Sequence, residues 1–484
     1  MSPARSRVAA LGSSPTAVLV IVCLGVFSTA LDQTVVVAAL PSVMVDLEIP
    51  LTDLDRASWI VTAYLVSYTV AMPLAGRLSD VYGRVRMFQA ALVLFAIGSA
   101  LVAIAPNFEW VVAARVLQAF GGGATVPIGL AMAVGVVAPE RRGVALGIVA
   151  ASAEAGSVLG PLYGGGIIEL LGWRWIFWLD VPQSFLLIAL LLILRNYANP
   201  NAKMDYFGAL MLGAALTVLT MGLAQRSIFS GESLVPYAMI GFGVFLIAVL
   251  ILFERRAVQP LFASFLYTSK AFVSSNITQF MVGVALIISL VGVPLMAATV
   301  MEKEPWQSAL QAIPVGALVG GYILRWTGVR LVGIVGLAFV GKGLLFMSGW
   351  EAEVEEVRLT MPLVMAGLGF GLVIPAITVS ALSAAPSTYW GAAASLVTAS
   401  RMVGMALGLA TLSAWGIERF YSLTADVTIG ASYAATEAPL IEAGVTVFQN
   451  LFMISGFLSL FAIVPALLMR VEDAEEPEEA NLFA

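Results

Sequence analysis

Charged side chains interrupt four long apolar stretches of the chain, at Asp32, Arg115, Glu154 and Arg401. An ionisable group at the centre of a membrane-spanning helix costs about 3 kcal/mol on insertion scales, so such groups usually face a bundle interior or an aqueous cavity. A buried carboxylate can exchange protons, because desolvation favours its neutral form and a nearby cation favours its charged form. The four residues therefore favour proton coupling in a transport process; the alternative is a set of structural ion pairs.

The proton carrier must be a carboxylate. The chain contains no histidine, so imidazole cannot exchange protons near neutral pH. Glu154 is flanked by Ala153, Ala155 and Gly156, which offer neither a charge nor a hydroxyl group. We therefore expect its partner to come from another helix, and Arg401 is the best candidate.

The composition indicates a polytopic α-helical membrane protein. Of the 484 residues, 60% are hydrophobic and 11% are charged, whereas a soluble domain carries about 25% charged residues. Apolar stretches recur from Pro15 almost to Arg470 with short polar breaks, and they are too long for the alternating segments of a β-barrel. The first stretch continues to Leu40 without a cleavage site, so we expect a retained helix rather than a signal peptide.

We predict fourteen spanning helices, at 15–40, 57–77, 86–105, 109–136, 142–168, 173–195, 205–225, 235–254, 271–297, 307–325, 330–349, 358–382, 391–416 and 447–470. An even number of spans places both termini on one side of the membrane. With the N terminus inside, most of the 24 lysines and arginines fall on the cytoplasmic side, as the positive-inside rule requires. We therefore predict a plasma-membrane protein with both termini in the cytoplasm.

A weak internal repeat divides the chain into halves. GRLSDVYGRVR, Gly76–Arg86, and GYILRWTGVR, Gly321–Arg330, both contain two glycines seven residues apart and end in arginine. The repeat predicts two six-helix bundles, 15–195 and 271–470, with two linker helices at 205–254, and a substrate site between the halves. The remaining segments are a cytoplasmic N terminus at 1–14, a long outer loop at 417–446 that extends its flanking helices, and an acidic cytoplasmic tail at 471–484.

Four motifs then follow in a fixed order. They are ALDQTVVVAALP (Ala30–Pro41) with WRWIFWLDVP (Trp173–Pro182), GRLSDVYGR (Gly76–Arg84), RVLQAFGGG (Arg115–Gly123) and GSVLGPLYGGG (Gly156–Gly166). They resemble motifs of the major facilitator superfamily, in its fourteen-helix drug:proton antiporter branch. The resemblance implies an all-α membrane fold of two six-helix bundles plus two inserted linker helices, and transport by alternating access.

Within that branch, the chain resembles the mycobacterial exporters of triacylglycerol and related lipids. Those proteins carry acids on helix 1 and just before the helix 5 motif, and an arginine on the penultimate helix; Asp32, Glu154 and Arg401 hold these positions here. The resemblance implies that the three residues form a proton-coupling centre in a central cavity. Tyr163 and Asp180 depart from the pattern, because small residues and asparagine, respectively, are more common there.

The resemblance also implies roles for the motif residues. The gating loop comprises Gly76, Asp80, Gly83 and Arg84, in which Asp80 and Arg84 form a cytoplasmic latch that stabilises the outward-open state; the alternative is that the loop serves only as a topology signal. Arg115 represents the helix 4 motif. The antiporter motif comprises Gly156, Gly160, Pro161, Gly164 and Gly165. We expect this motif to make a dry contact with the opposite bundle that prevents leakage; the plainer interpretation is a helix-packing face.

Six side chains are candidate substrate contacts: Gln33, Tyr64, Tyr68, Gln118, Gln279 and Met402. Their alternative role is helix packing. A cavity with little charge suits hydrophobic or amphiphilic cargo better than sugars or phosphates. Lys342, inside a predicted span, has no assigned role.

The leading function is a proton-coupled antiporter that exports hydrophobic or amphiphilic compounds, with membrane lipids such as triacylglycerol among the cargo. The alternative is a multidrug efflux pump for diffusible cationic or amphiphilic drugs. We expect no enzyme activity, because the chain has no Walker loop and no histidine or cysteine ligand cluster. We expect no cofactor or metal apart from coupling protons, no nucleic acid, and a monomer in the bilayer with a lipid-carrying lipoprotein as a partner.

Overall fold

The computed structural model is built of α-helices. It describes residues 14–49, 54–138, 141–194, 206–224, 234–254, 268–301, 312–353, 355–386, 389–410, 412, 415–425 and 433–471. In chain order the helices are α1 Pro15–Asp46, α2 Leu54–Tyr82, α3 Arg84–Ala103, α4 Phe108–Gly135, α5 Arg142–Leu171, α6 Arg174–Leu191, α7 Tyr206–Ala224, α8 Val235–Glu254, α9 Lys270–Thr299, α10 Ala312–Met347, α11 Glu356–Ser383, α12 Trp390–Ala410, α13 Gly416–Thr424, α14 Tyr433–Phe461 and α15 Ile463–Ala466. The predicted terminal segments 1–14 and 471–484 lie outside the described residues except for residues 14 and 471, and so do residues 426–432 of the predicted outer loop.

Eleven helices of the described residues are long and apolar enough to cross a membrane, and Leu210–Gly222 is a shorter apolar helix. The total of fourteen spans stays a prediction. α1 continues past the predicted end at residue 40, and α14 begins before the predicted start at residue 447. Most of the described part of 417–446 is therefore helical, in α13 and the first turns of α14. A helix can continue beyond the apolar layer of the membrane, because polar residues do not by themselves end a helix.

The helices pack as two groups, α1–α6 and α9–α15. In the first group α1 packs along α5, α2 and α3 pack along α4, and α6 lies against α3; in the second, α10 packs along α11 and α9 along α12. The groups meet where α5 crosses α10 and α11, and where α2 and α4 cross α12. Side chains of α2, α4, α5 and α12 therefore meet at this seam, where the substrate site is expected.

Both copies of the internal repeat contain a glycine with the same backbone conformation. Gly83, which precedes α3, has φ 96° and ψ 135°. Gly328, at a kink within α10, has φ 76° and ψ 157°. Glycine is favoured at such positive φ values because a Cβ atom would be strained there. Gly328 therefore separates two helical segments of α10, just as Gly83 separates α2 from α3.

The linker helices α7 and α8 pack closely against each other. Gly222 lies against Met239 and Ile240, and Gly243 lies against Leu219, so small residues bring the two backbones together. α7 also contacts α2 and α12 at the seam. Only 17% of the apolar segment of α8 is buried, so α8 presents most of its surface to lipid.

Candidate functional site

An ion pair joins the two helix groups at the centre of the seam. Arg401 Nη1 of α12 lies 3.0 Å from Glu154 Oε1 of α5, and the two residues are only 8% and 7% exposed. Arg401 is the partner that the sequence predicted for Glu154. Gly283 and Gly404 let the backbones of α9 and α12 touch next to this arginine, so packing within the second group fixes the position of the cation.

A small cavity adjoins the ion pair. Its free volume is about 20 Å³, which is room for roughly one water molecule. Besides the pair, its lining comprises the polar residues Gln279, Thr378 and Thr398 and the apolar residues Val126, Leu130, Val149, Ala150, Ala153, Ile374 and Val397. Gln279 Oε1 is buried without a hydrogen-bond partner among the described residues. The free space beside the pair is therefore far smaller than a lipid or drug molecule.

Asp32 lies in a second cluster, away from the lining of this cavity. Its Oδ2 accepts a hydrogen bond from Arg115 Nη1 at 2.9 Å, and its Oδ1 accepts one from Gln118 Nε2 at 3.0 Å. Arg115 Nη1 also donates to Gln118 Oε1 at 2.6 Å. The sequence grouped Asp32 with Glu154 and Arg401. The structure pairs it with Arg115 instead, because α4 packs against α1 inside the first group.

Asp180 of α6 belongs to this second cluster too. Ser99 Oγ accepts a hydrogen bond from Gln118 Nε2 at 2.7 Å and donates one to Asp180 Oδ2 at 3.3 Å. The Asp180 carboxyl also interacts with that of Asp32, and it is 3% exposed. From the sequence, Asp180 stands out only as a departure from the family pattern. A carboxylate within an apolar helix was the signal that could have identified it.

An aromatic layer lies near both ion pairs. The rings of Tyr64 and Tyr68 are stacked with their centroids 5.7 Å apart, and Met402 packs with them in one buried cluster. The Arg115 guanidinium lies 3.9 Å from the centre of the Tyr64 ring. Tyr68 interacts electrostatically with Glu154. The layer therefore contacts the Asp32 cluster through Arg115 and interacts electrostatically with Glu154.

The six candidate substrate contacts are divided among these places. Gln279 lines the cavity, Gln118 holds the Asp32 carboxylate, and three others form the aromatic layer. Gln33 is half-buried on α1. Of the six, only Gln279 faces the cavity beside the Glu154 pair. Lys342 is exposed on α10, and nothing in its surroundings assigns it a role.

Asp80 joins the two halves at the end of the bundle marked by Gly83, which we call the Gly83 end. Its carboxylate accepts hydrogen bonds from the backbone N–H groups of Gly391 and Ala392, both at 3.0 Å, and from Arg84 Nη2 at 3.3 Å. The two N–H groups begin α12, and a helix N terminus favours negative charge. The Asp80–Arg84 pair predicted from the loop motif is present, and its carboxylate also reaches the other half.

Glycines allow α2 and α12 to cross at this end with their backbones in contact. Gly76 and Gly391 each face the carbonyl oxygen of the other. A Cβ atom on Gly76 would lie 2.6 Å from Ser395 Cβ, which is closer than real Cβ atoms approach. Replacement of either glycine would therefore push the helices apart.

Cations and aromatic rings surround the same crossing. Arg84 and Arg142 of the first group lie over the ring of Trp390, at 5.4 Å and 4.7 Å from its centre. Arg77 lies 4.6 Å from the centre of the Tyr389 ring. These cation–π contacts all connect the first group with the start of α12, so they strengthen closure at the Gly83 end.

The glycine motif of α5 packs against its own half. A Cβ atom on Gly156 would collide with the carbonyl oxygen of Phe27, and one on Gly160 would lie 2.7 Å from the carbonyl oxygen of Leu31. Both partners belong to α1. The expected contact with the opposite bundle is therefore wrong for these two glycines, because small residues serve whichever helix lies closest, and here that helix is α1.

The other motif positions have different surroundings. Pro161 lies within α5, and Gly164 is buried. A Cβ atom on Gly165 or Gly166 would have no atom within 4 Å. α5 still crosses α10 and α11, so the halves touch along this helix through residues other than the paired glycines.

Comparison with known proteins agrees with this arrangement. Residues 22–409 match the family model described as Major Facilitator Superfamily. A triacylglyceride transporter of Mycobacterium tuberculosis is 35% identical over 499 residues, which cover 94% of this chain and 95% of that protein. A triacylglyceride transporter of Mycolicibacterium hassiacum is 33% identical over 496 residues, which cover 94% of this chain and 92% of that protein.

Solved structures of much lower identity share the fold. The proton:xylose symporter bound to 6-bromo-6-deoxy-D-glucose is 13% identical, with a TM-score of 0.65 over 98% of this chain and 99% of that chain. The human organic anion transporter MFSD10 is 16% identical, with a TM-score of 0.58 over 92% of this chain and 99% of that chain. Because the family model spans most of the chain and its relatives cover nearly all of it, this chain belongs to the major facilitator superfamily of membrane transporters.

Proposed function

We propose that this protein is a proton-coupled antiporter of the fourteen-helix branch that exports hydrophobic or amphiphilic compounds, in particular membrane lipids of the triacylglycerol class. The observation that carries the proposal is the Glu154–Arg401 pair. It bridges the two halves at 3.0 Å, is buried, and lies beside a mostly apolar cavity. A charge that lies at the seam and can be neutralised by a proton is the feature that couples alternating access to protons.

Protonation of Glu154 gives the coupling step. A neutral Glu154 no longer balances the Arg401 guanidinium, so the closed seam loses the attraction that offsets burial of the cation. A proton that crosses a potential of about 100 mV supplies on the order of 2.3 kcal/mol. That energy changes the ratio of two conformations by roughly fiftyfold. Proton entry therefore favours opening, and proton release with re-formation of the pair favours closure.

The Gly83 end controls access on one side. In the proposed orientation this end faces the cytoplasm, and both termini lie on the same side of the plasma membrane. The Asp80 hydrogen bonds and the Trp390 contacts close it in the conformation described. Loading of cargo from the cytoplasmic side requires the crossing of α2 and α12 to separate, while the Glu154 pair opens the centre of the seam.

Two observations favour lipid cargo. The curated relatives are named triacylglyceride transporters, and most residues that line the cavity are apolar. The alternative, a multidrug efflux pump for cationic drugs, needs an acid that is available to the cation. In the conformation described, Glu154 is paired with Arg401, which leaves a neutral pair rather than a negative binding site.

The proposal also specifies the oligomeric state, the coupling ion and the acceptor of the exported lipid. It functions as a monomer in the bilayer, with protons as the coupling ion and a lipid-carrying lipoprotein as the acceptor of exported lipid. The lipid-facing surface of α8 and the seam beside α7 are surfaces where a membrane lipid can approach from the side.

Reconstitution of the full chain in lipid vesicles tests the proposal. One set of vesicles carries a short-chain fluorescent triacylglycerol, whose transfer is followed by quenching of the label that reaches the other leaflet. A second set is loaded with ethidium. We expect an imposed pH gradient to drive triacylglycerol transfer, and gradient-driven ethidium movement without lipid transfer would favour the multidrug alternative. No response of either cargo to the gradient would contradict proton coupling.

The variant Glu154→Gln tests the assigned residue. It removes the proton-binding group and keeps the side-chain shape, so we expect gradient-driven transfer to fall to the background of protein-free vesicles. Glu169→Gln is the matched control, because Glu169 is an exposed acid on the same helix. Normal gradient-driven transfer in Glu154→Gln would show that Glu154 has a structural role and does not couple transport to protons.

A further inference from the structure

The cluster around Asp32 contains more acid than base. Asp32 and Asp180 are both buried, at 0% and 3% exposure. Arg115 is the cation that interacts with both among the described residues, and it contacts Asp32 Oδ2 at 2.9 Å. If both acids were ionised, the cluster would hold two negative charges and one positive charge in a site that excludes water. Two carboxyl groups in one buried site hold a proton between them for this reason.

The groups that face Asp180 come from each helix around it. α6 packs against α3, α1 and α5. α1 supplies Asp32, α3 supplies Ser99, and α5 supplies Tyr163, while Tyr64 and Arg115 reach the cluster from α2 and α4. The two tyrosines and the serine carry no charge at neutral pH. The described groups around Asp180 therefore leave one negative charge to be balanced by a proton.

The hydrogen bonds indicate which acid holds this proton. Each oxygen of Asp32 has a donor, Arg115 Nη1 for one and Gln118 Nε2 for the other, so the ionised form of Asp32 is well satisfied. Asp180 receives one neutral donor, the Ser99 hydroxyl, at 3.3 Å. We propose that Asp180 is a protonated carboxylic acid in this conformation, and that Asp32 and Asp180 form a second proton-binding site of the transporter.

This site is distinct from the Glu154–Arg401 pair. It lies within the first helix group, whereas Glu154 bridges the two groups. Ser99 and Gln118 link the two acids by hydrogen bonds, and a proton on Asp180 leaves Asp32 to balance the charge of Arg115. The use of this proton in transport rests on the proposed function, whereas its presence on Asp180 does not.

Infrared spectroscopy of the full chain in lipid vesicles at neutral pH tests the site directly. A protonated carboxyl group has a C=O stretching band that a carboxylate lacks. We expect the wild-type protein to show such a band, Asp180→Asn to lose it, and Asp180→Glu to shift it. Asn has the shape of the neutral acid and keeps an acceptor for Ser99, so we expect Asp180→Asn to fold. Asp46→Asn is the control, because this partly exposed acid pairs with Arg174 at the surface.

The outcomes separate this inference from the proposed function. A band that is unchanged in both Asp180→Asn and Asp180→Glu would overturn the assignment of the proton to Asp180. If Asp180→Asn does not fold, an unshifted band in Asp180→Glu is by itself enough to overturn the assignment. Wild-type vesicles that show the Asp180 band but no gradient-driven transport would contradict the proposed function and leave the proton site intact.

Discussion

Asp80 Oδ1 accepts a hydrogen bond of 3.0 Å from the backbone N–H of Gly391, and this bond connects the two halves of the protein. Asp80 lies in the last turn of α2, and Gly391 lies in the first turn of α12. A carboxylate is unfavourable near the C terminus of its own helix and favourable at the N terminus of another. The Asp80 anion is therefore well placed only while α2 and α12 remain crossed.

Removal of this charge should open the Gly83 end. Asp80→Asn keeps an acceptor for one N–H group but loses the charge, which we expect to weaken closure by about 1–2 kcal/mol. The population that is open at this end should rise on the order of tenfold. Spin labels at Tyr82 and Leu331, in a Cys23→Ser background, report the distance between the halves. The same distance distribution in Asp80→Asn and in the unmodified sequence would contradict the latch.

The two ends of the α5 glycine motif should respond differently to an added methyl group. Gly160→Ala places a Cβ atom against Thr34 and Leu31 of α1, and overpacking of this kind typically costs about 1–3 kcal/mol. We expect a lower midpoint of thermal unfolding and weaker transport. Gly165→Ala meets open space and is the matched control, with stability unchanged or slightly raised. Equal losses in both variants would mean that the motif does not act by packing against α1.

The Glu154–Arg401 pair should show strong coupling in a double-variant cycle. Either Glu154→Gln or Arg401→Gln leaves a buried charge without its partner, which costs about 3–5 kcal/mol in comparable buried pairs. The double variant removes both charges, so its unfolding free energy should exceed the additive expectation by at least about 1 kcal/mol. Gradient-driven transport should nevertheless be absent from it. Additive losses in thermal unfolding would show that the two residues do not form a pair in the membrane.

Arg115 should tolerate lysine poorly. Its guanidinium donates to Asp32 and Gln118 and lies over the Tyr64 ring, and an ammonium group cannot reproduce the planar fork and the stacking together. We expect Arg115→Lys to lower stability and transport. The control Arg174→Lys changes a partly exposed pair with Asp46, where the expected loss is below about 1 kcal/mol. A loss in Arg174→Lys as large as that in Arg115→Lys would argue against a special role for the buried cluster.

The sequence was sufficient for the all-helical membrane fold and for the partner of Glu154. Long apolar stretches leave few structures other than spanning helices, and few cations lie within those stretches. The two turn glycines could also be predicted from the sequence. Gly83 and Gly328 each follow another glycine by seven residues, and both adopt positive φ.

The remaining features depend on which helices are neighbours. Asp32 could have faced either Arg115 or Arg401, and only the packing of α1 against α4 decides in favour of Arg115. Gly156 and Gly160 show from the sequence that some helix must approach closely, but not that this helix is α1. The hydrogen bonds that Asp80 accepts from the start of α12 join residues more than three hundred positions apart, and local sequence patterns carry no information over such a separation.

The most direct test of the central claim measures protons and lipid together. Vesicles that contain the transporter, a trapped pH indicator and a fluorescent triacylglycerol on one leaflet report both movements in the absence of an imposed pH gradient. We predict that downhill lipid movement drives a counterflow of protons in the wild type and in Glu169→Gln. In Glu154→Gln we predict no counterflow of protons. Lipid movement without any change of internal pH in the wild type, or an undiminished proton flux in Glu154→Gln, would contradict coupling through Glu154.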